Sequence, residues 1–232
     1  MQSATPRAST LANTPRTAFL RELRGEILQN YPAGRVIVAI DGAEGSGTAA
    51  FADDLASVYR EAGTDTARAS LGDFHLPRAR RHLHGPADPD DYYLNSFDYE
   101  TLRRVLIDPF RLSGSTGFQT RAFDVKRDAP VVSQWQTGPA DMVLVVDGPF
   151  LERPELRGAW HFSALLDVPL SEVYARLAAS QGRDADPEAP SNARYVGGWR
   201  RYVEKAEPQY AASAVVDLTD EAHPRRRYLD HC

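Results

Sequence analysis

A chain of 232 residues is long enough for one large α/β domain or two small ones, with a substantial buried core. Its 42% hydrophobic and 25% charged residues are ordinary for a globular chain, and a net charge of −5 without a basic block argues against nucleic acid as a partner. No run reaches the length of a membrane span, the N-terminus lacks the apolar core of a secretion signal, and the lone Cys232 makes no internal disulfide, so the expectation is a cytoplasmic protein with no membrane partner.

Met1 to about Thr14 is rich in Ser, Thr, Ala and Pro and reads as a mobile tail; residues 15–232 read as a single domain. From Pro15, the spacing of Phe19, Leu20, Ile27 and Leu28 predicts a helix that Pro32 and Gly34 stop. Arg35 to Ile40 is a buried strand, and a glycine-rich turn leads from it into a helix carrying Phe51, Leu55, Val58 and Tyr59 on one face and ending near Gly63. Thr66 to Leu71 predicts a second strand, followed by a long polar loop over Pro77 to Asp91. Tyr99 to Leu106 is helical and is expected to stop before Asp108-Pro109. After a turn at Gly114 to Gly117, Phe118 to Val125 is extended.

Met142 to Val146 is the clearest buried strand, closed by Asp147-Gly148-Pro149. Phe162 to Val168 is another, followed by a helix over Ser171 to Ala179 and a charged loop of lid type over Gly182 to Pro190. A helix from Ala193 to Ala206 and a short strand at Ala214 to Leu218 complete the chain. Strands alternating with helices predict an α/β fold, a doubly wound parallel sheet with flanking helices.

The candidate chemistry centres on the glycine-rich turn. Gly42, Gly45, Ser46 and Gly47 between a buried strand and a helix form the setting of a phosphate-cradling loop. A full phosphate loop reads G-x-x-x-x-G-K-[ST]; here Gly47 is followed by Thr48 and Ala49, so the phosphate-reaching lysine and the magnesium-ligating hydroxyl are both absent. Asp147, at the carboxyl end of a strand, stands where an acid would hold magnesium, or simply begins a turn. Asp73, just past another strand, is suited either to take a proton from a hydroxyl attacking a phosphoryl group or to cap a helix. His75 could assist it. His82 and His84, near Asp88, Asp90 and Asp91, match no familiar ligand spacing and read as a polar loop.

These motifs together resemble the uridine kinase-like group of phosphate-loop kinases. The matching segments are Asp41 to Gly47, Phe51-Ala-Asp-Asp-Leu55, Gly72-Asp-Phe-His75, Phe97-Asp98-Tyr99, Ala122-Phe-Asp124, Val145-Val-Asp-Gly148 and Leu166-Asp-Val-Pro169, in the family's order over roughly residues 20–218. The resemblance implies ATP and Mg²⁺ as cofactors and a small nucleoside-like substrate. It implies that Asp73 is the catalytic base, that Asp98 grips a ribose, and that Phe123 and Asp124 lie along the base pocket. It also implies a lid over about 176–194 carrying Arg176 and Arg183.

Phe51 to Leu55 keeps the family's register, so Thr48 and Ala49 are substitutions and not a slipped alignment. Where the family tends to carry lid arginines and an Asp, this chain has Ala179-Ser180-Gln181. The acceptor side is kept while the donor side has lost charge, unless Arg78, Arg121 or Arg183 stands in for the lysine. Three readings follow: an impaired or altered nucleoside-type kinase, a pseudokinase that binds without transferring phosphate, or an enzyme using the acceptor pocket for ATP-independent chemistry. Self-association is left open.

Overall fold

The computed structural model describes residues 10–228; Cys232 and most of the expected N-terminal tail lie outside them. Helix α1 (Pro15–Asn30) begins at Thr14, whose side chain accepts from the Thr17 amide while Thr17 returns a bond to the Thr14 backbone. It buries Leu20, Leu23 and Ile27. Strand β1 (Val36–Gly42) is buried along its whole length and leads through the glycine-rich loop into α2 (Thr48–Glu61). Strand β2 (Thr66–Ser70) follows, then the short helices α3 (Arg78–Arg81) and α4 (Pro89–Asn95).

These two helices correct the expectation of a loop over Pro77 to Asp91. Each holds only four to seven residues, too few for a periodic signal. Helix α4 is fixed by its ends, with Asp88 capping the Asp91 amide and Pro89 at its first position.

The next helix also outlasts its expected end. Helix α5 (Tyr99–Leu102) passes through a π-helical turn (Arg103–Ile107) into α6 (Asp108–Leu112), so Pro109 does not stop it. Proline has no amide to bond the Val105 carbonyl, and the Gln119 amide takes that acceptor instead, at 2.8 Å.

A small hairpin, β3 (Phe123–Asp124) with β4 (Ala129–Pro130), precedes the second fully buried strand, β5 (Val143–Gly148). Strand β6 (Phe162–Asp167), α7 (Leu170–Gln181), α8 (Ala193–Ala206), α9 (Pro208–Ala211) and β7 (Ala214–Asp217) complete the alternation. A final strand, β8 (Arg225–Arg227), was not expected; three consecutive arginines give no apolar signal.

The main sheet runs β2-β5-β1-β6-β7-β8, parallel except for β8. Side chains alternate across it. Val36, Val38, Ile40, Val143 and Val145 face the layer containing α1, α2 and α7, while Ile37, Ala39, Leu144 and Val146 face α4 to α6. Among the second group, Phe150 adopts a left-handed φ of 66° and is caged by Tyr92, Tyr93, Trp199 and Tyr202 at ring distances of 5.1, 5.5, 6.2 and 5.2 Å. From β1 the chain crosses first to one side of the sheet and later to the other, which opens a crevice at the carboxyl ends of β1 and β5. No helix among the described residues is long and apolar enough to cross a membrane.

Candidate functional site

The loop after β1 has the backbone of a phosphate cradle. Gly45 and Gly47 take φ of 90° and 94°, and the Ser46 amide bonds the Ala43 carbonyl at 2.9 Å. A side chain at Gly42 would collide with the Ser46 hydroxyl, and one at Gly45 would meet Leu177 at 2.7 Å, so the tight path requires glycine at both positions. Thr48 opens α2 with no side-chain cap, and Ala49 is exposed.

A cleft of about 380 Å³ lies against this loop. Gly45 and Thr48, Asp147 and Gly148, His75, Arg81 and His82, and Arg194 and Tyr195 contribute to its walls. It therefore draws on the loop, the end of β5, the segment after β2, α3 and α8.

The acids of this cleft already have partners. Asp147 is 4% exposed; its carboxylate accepts Arg68 Nη2 at 2.8 Å and the Ser70 hydroxyl at 3.3 Å. Arg68, from β2, also pairs with Asp53 of α2 at 2.8 Å and donates to the carbonyls of Ala69 and Val145. Burial raises the Asp147 carboxyl above its ordinary value, and Arg68 pulls it back down. Glu44, within the loop, takes Arg183 Nη2 at 2.5 Å and the Tyr92 hydroxyl at 3.3 Å. The Arg183 guanidinium lies 4.5 Å from the Tyr195 ring.

A magnesium ion does not fit this donor set. The oxygens of Asp147 are engaged by a guanidinium and a hydroxyl, and the Ala49 side chain brings no hydroxyl at its position in the helix. The glycine-opened backbone, by contrast, is compatible with a phosphate group.

The remaining expected residues fall into separate groups. Asp73 is half-exposed and pairs with Arg121 at 3.0 Å, and Arg121 reaches Asp124 at 3.4 Å. Burial raises the Asp73 carboxyl, Arg121 lowers it, and Asp147 and Asp124 raise it further. His75 bonds the Gly72 carbonyl through Nδ1 at 2.7 Å and packs on Phe97 at 4.7 Å; burial pushes its imidazole toward the neutral form.

Asp98 caps α5 by accepting the Thr101 amide at 2.9 Å. With the buried Phe123 it lines a second cavity of about 380 Å³, and His75 stands on the wall between the two. Asp73 and Asp98 thus do not line one shared cavity. The Asp124 carboxylate accepts the amides of Lys126 and Arg127 and shapes the β3–β4 turn.

None of the three arginines proposed to replace the lysine lines the cleft beside Thr48. Arg121 is held by Asp73 and Arg183 by Glu44, while Arg78 donates its backbone amide to Asp128. Arg176 lies inside α7 and bonds Glu172, Glu221 and the carbonyls of Leu218 and Thr219, so it serves the loop after β7. Only 182–192 of the expected lid is outside the two long helices.

Arg68 was missed from sequence, though a cation in the alternating strand Thr66-Ala-Arg-Ala-Ser70 was a readable sign. Glu44 and Arg194 carried no comparable sign. His84, Asp88 and Asp91 do approach one another within 4.8 Å, yet Asp91 is buried and bonded to His84 and Asn95 while Asp88 caps α4.

No protein-family model matches the sequence, and no curated protein matches it significantly. Solved structures do. A protein described as a possible uridine kinase from Bacillus stearothermophilus superposes with a TM-score of 0.67 at 24% identity, covering 86% of this chain and 96% of that one. A proposed fructose transport system kinase from Silicibacter gives 0.63 at 24% identity, covering 81% and 95%. D-glycerate 3-kinase from Cryptococcus neoformans gives 0.59 at 13% identity, covering 93% and 100%. The chain therefore shares the α/β fold of these structures, a mostly parallel central sheet with flanking helices.

Proposed function

We propose that the chain is a pseudokinase: it holds a small hydroxylated molecule of nucleoside or nucleotide type in the cleft beside the phosphate loop and does not carry out magnesium-dependent phosphate transfer. The observation that supports this reading is the Arg68–Asp147 pair, which places a guanidinium on the acid that would otherwise hold the metal. Phosphoryl transfer depends on positioning and charge stabilisation, and losing one preorganised donor typically costs about 10²–10³ in rate. Here the lysine expected at position 48 and the hydroxyl expected at position 49 are absent together, and Arg183 is engaged by Glu44.

A second reading, a phosphotransferase to a nucleoside or similar small hydroxylated molecule with a substituted cation, is favoured by Asp73. Its half-exposed carboxyl, raised by burial against the pull of Arg121, is of the type a general base needs. Calorimetry with ATP, with and without Mg²⁺, separates the two. On the binding reading magnesium leaves wild-type affinity unchanged and no ADP accumulates. The Thr48→Lys, Ala49→Thr double substitution then strengthens triphosphate binding by about 10-fold, the size of one charge-assisted hydrogen bond. Magnesium-dependent ADP formation by the wild type refutes the binding reading.

A further inference from the structure

Resting on that reading of the cleft as a ligand site, we propose that its ligand carries an anionic group, a phosphate or a carboxylate, seated against Arg194, Arg81 and His82. The two acids on the cleft wall, Glu44 and Asp147, are each matched by an arginine, Arg183 and Arg68. The cations on that wall are not balanced in the same way.

Arg194 is 6% exposed, and its guanidinium donates to two backbone carbonyls, Asp88 at 3.0 Å and Arg81 at 2.8 Å. These use two of the five donors of a guanidinium. Its side chain lies over the Tyr92 ring at 5.6 Å. The nearby buried carboxylate, Asp91, is turned to His84 and Asn95.

Arg81 spends one contact on Asp128 at 3.1 Å and one on the Leu76 carbonyl at 2.8 Å. His82 beside it is driven toward its neutral form, first by burial and then by the guanidinium groups of Arg194, Arg81 and Arg78. This end of the cleft therefore sits in a positive field from three arginines, of which only Arg81 pairs its guanidinium with an exposed carboxylate, Asp128. Desolvating such a field against a neutral sugar hydroxyl is unfavourable, whereas an anion gains charge-assisted hydrogen bonds from it. The anion is assigned to the held molecule because the two arginines paired with the acids of the loop and of β5, Arg183 and Arg68, are spent on Glu44 and Asp147.

Arg194 also clamps α3 to α4, and that is its alternative role. Calorimetry with matched probes tests the two: ribose 5-phosphate against ribose, uridine 5′-monophosphate against uridine, and glycerate against glycerol. We expect at least one anionic member to bind about 10- to 100-fold tighter than its neutral partner, the span of one or two charge-assisted hydrogen bonds. Arg194→Gln erases that preference and Arg194→Lys keeps part of it. If Arg194→Gln does not fold, Arg81→Gln carries the test with a smaller loss.

Equal affinity within every pair overturns the anion and leaves the ligand site standing. Binding by none of the six overturns both. ATP that competes with the anionic probe, with the same Arg194 dependence, assigns the cations to a triphosphate and overturns the proposal. The glycerate and phosphate arms distinguish carboxylate from phosphate.

Discussion

Replacing Arg68 by methionine tests whether this guanidinium occupies the metal's place. The side chain of Asp147 is 5% exposed, and Arg68 is its ion-pair partner at 2.8 Å. Its removal leaves a buried carboxylate answered only by the Ser70 hydroxyl, which costs about 3–5 kcal/mol of folding stability. In the Arg68→Met background, Asp147→Asn removes the stranded charge, so the double variant is less destabilised than the sum of the single ones, with a coupling of about 1–3 kcal/mol.

The pH dependence has a definite sign. The Asp147 carboxyl is already raised by burial, and without Arg68 it rises further. The loss in Arg68→Met is therefore largest at alkaline pH and shrinks as pH falls through the raised folded value. Urea unfolding at about pH 8 and about pH 5 reads both effects. Magnesium at millimolar concentration raises the unfolding temperature of Arg68→Met and leaves that of the wild type unchanged, since the freed carboxylate becomes a ligand. Single and double variants that add to within about 0.5 kcal/mol, together with magnesium stabilising the wild type, would refute the reasoning.

Further outcomes follow from other parts of the structure. Asp41 is fully buried and receives the Tyr202 hydroxyl; burial chiefly, against that hydrogen bond, pushes its carboxyl up to about 7. Its favourable contribution is complete below the unfolded value near 4 and is lost as pH rises through about 7, so Asp41→Asn flattens the stability–pH curve there, by at most about 1.4 kcal/mol per pH unit. Urea midpoints across that range check it, and a variant curve as steep as the wild type's counts against it. Arg183→Ala releases Glu44 and the Tyr195 ring, so hydrogen exchange over 183–192 quickens about 10-fold while global stability changes by less than about 1 kcal/mol. Unchanged exchange there means the clasp does not order the segment. Gly148→Ala brings a carbon to 2.6 Å from Leu71 Cβ and costs about 1–3 kcal/mol in thermal unfolding; a neutral result excludes the close approach.

The parts legible from sequence were those whose signal is local. Val36 to Ile40 followed by three glycines in six residues reads as strand, loop and helix because β-branching, glycine and apolar spacing act on neighbours. The same logic located β5, and it placed α8 with its ends correct. It failed at Pro109, where the orphaned Val105 carbonyl is rescued from residue 119, beyond any helix pattern. It failed again at the site. Arg68 meets Asp147 across 79 residues, and Arg183 meets Glu44 across 139, so the missing lysine was visible while the pairings around it were not. Asp98, expected to serve the same pocket as Asp73, is turned to its own helix, an alternative open to any Asp three residues before a helical amide.

The last strand bears on how the molecule behaves in a crowd. An open sheet edge invites another polypeptide to extend it, and here that rim consists of Arg225, Arg226 and Arg227. Arg226 reaches back to Glu26 and Arg227 to Asp167, which ties the rim to its own subunit. A stranger docking along it would have to strip water from neighbouring positive charges, so cationic side chains defend this margin against fibrillar stacking.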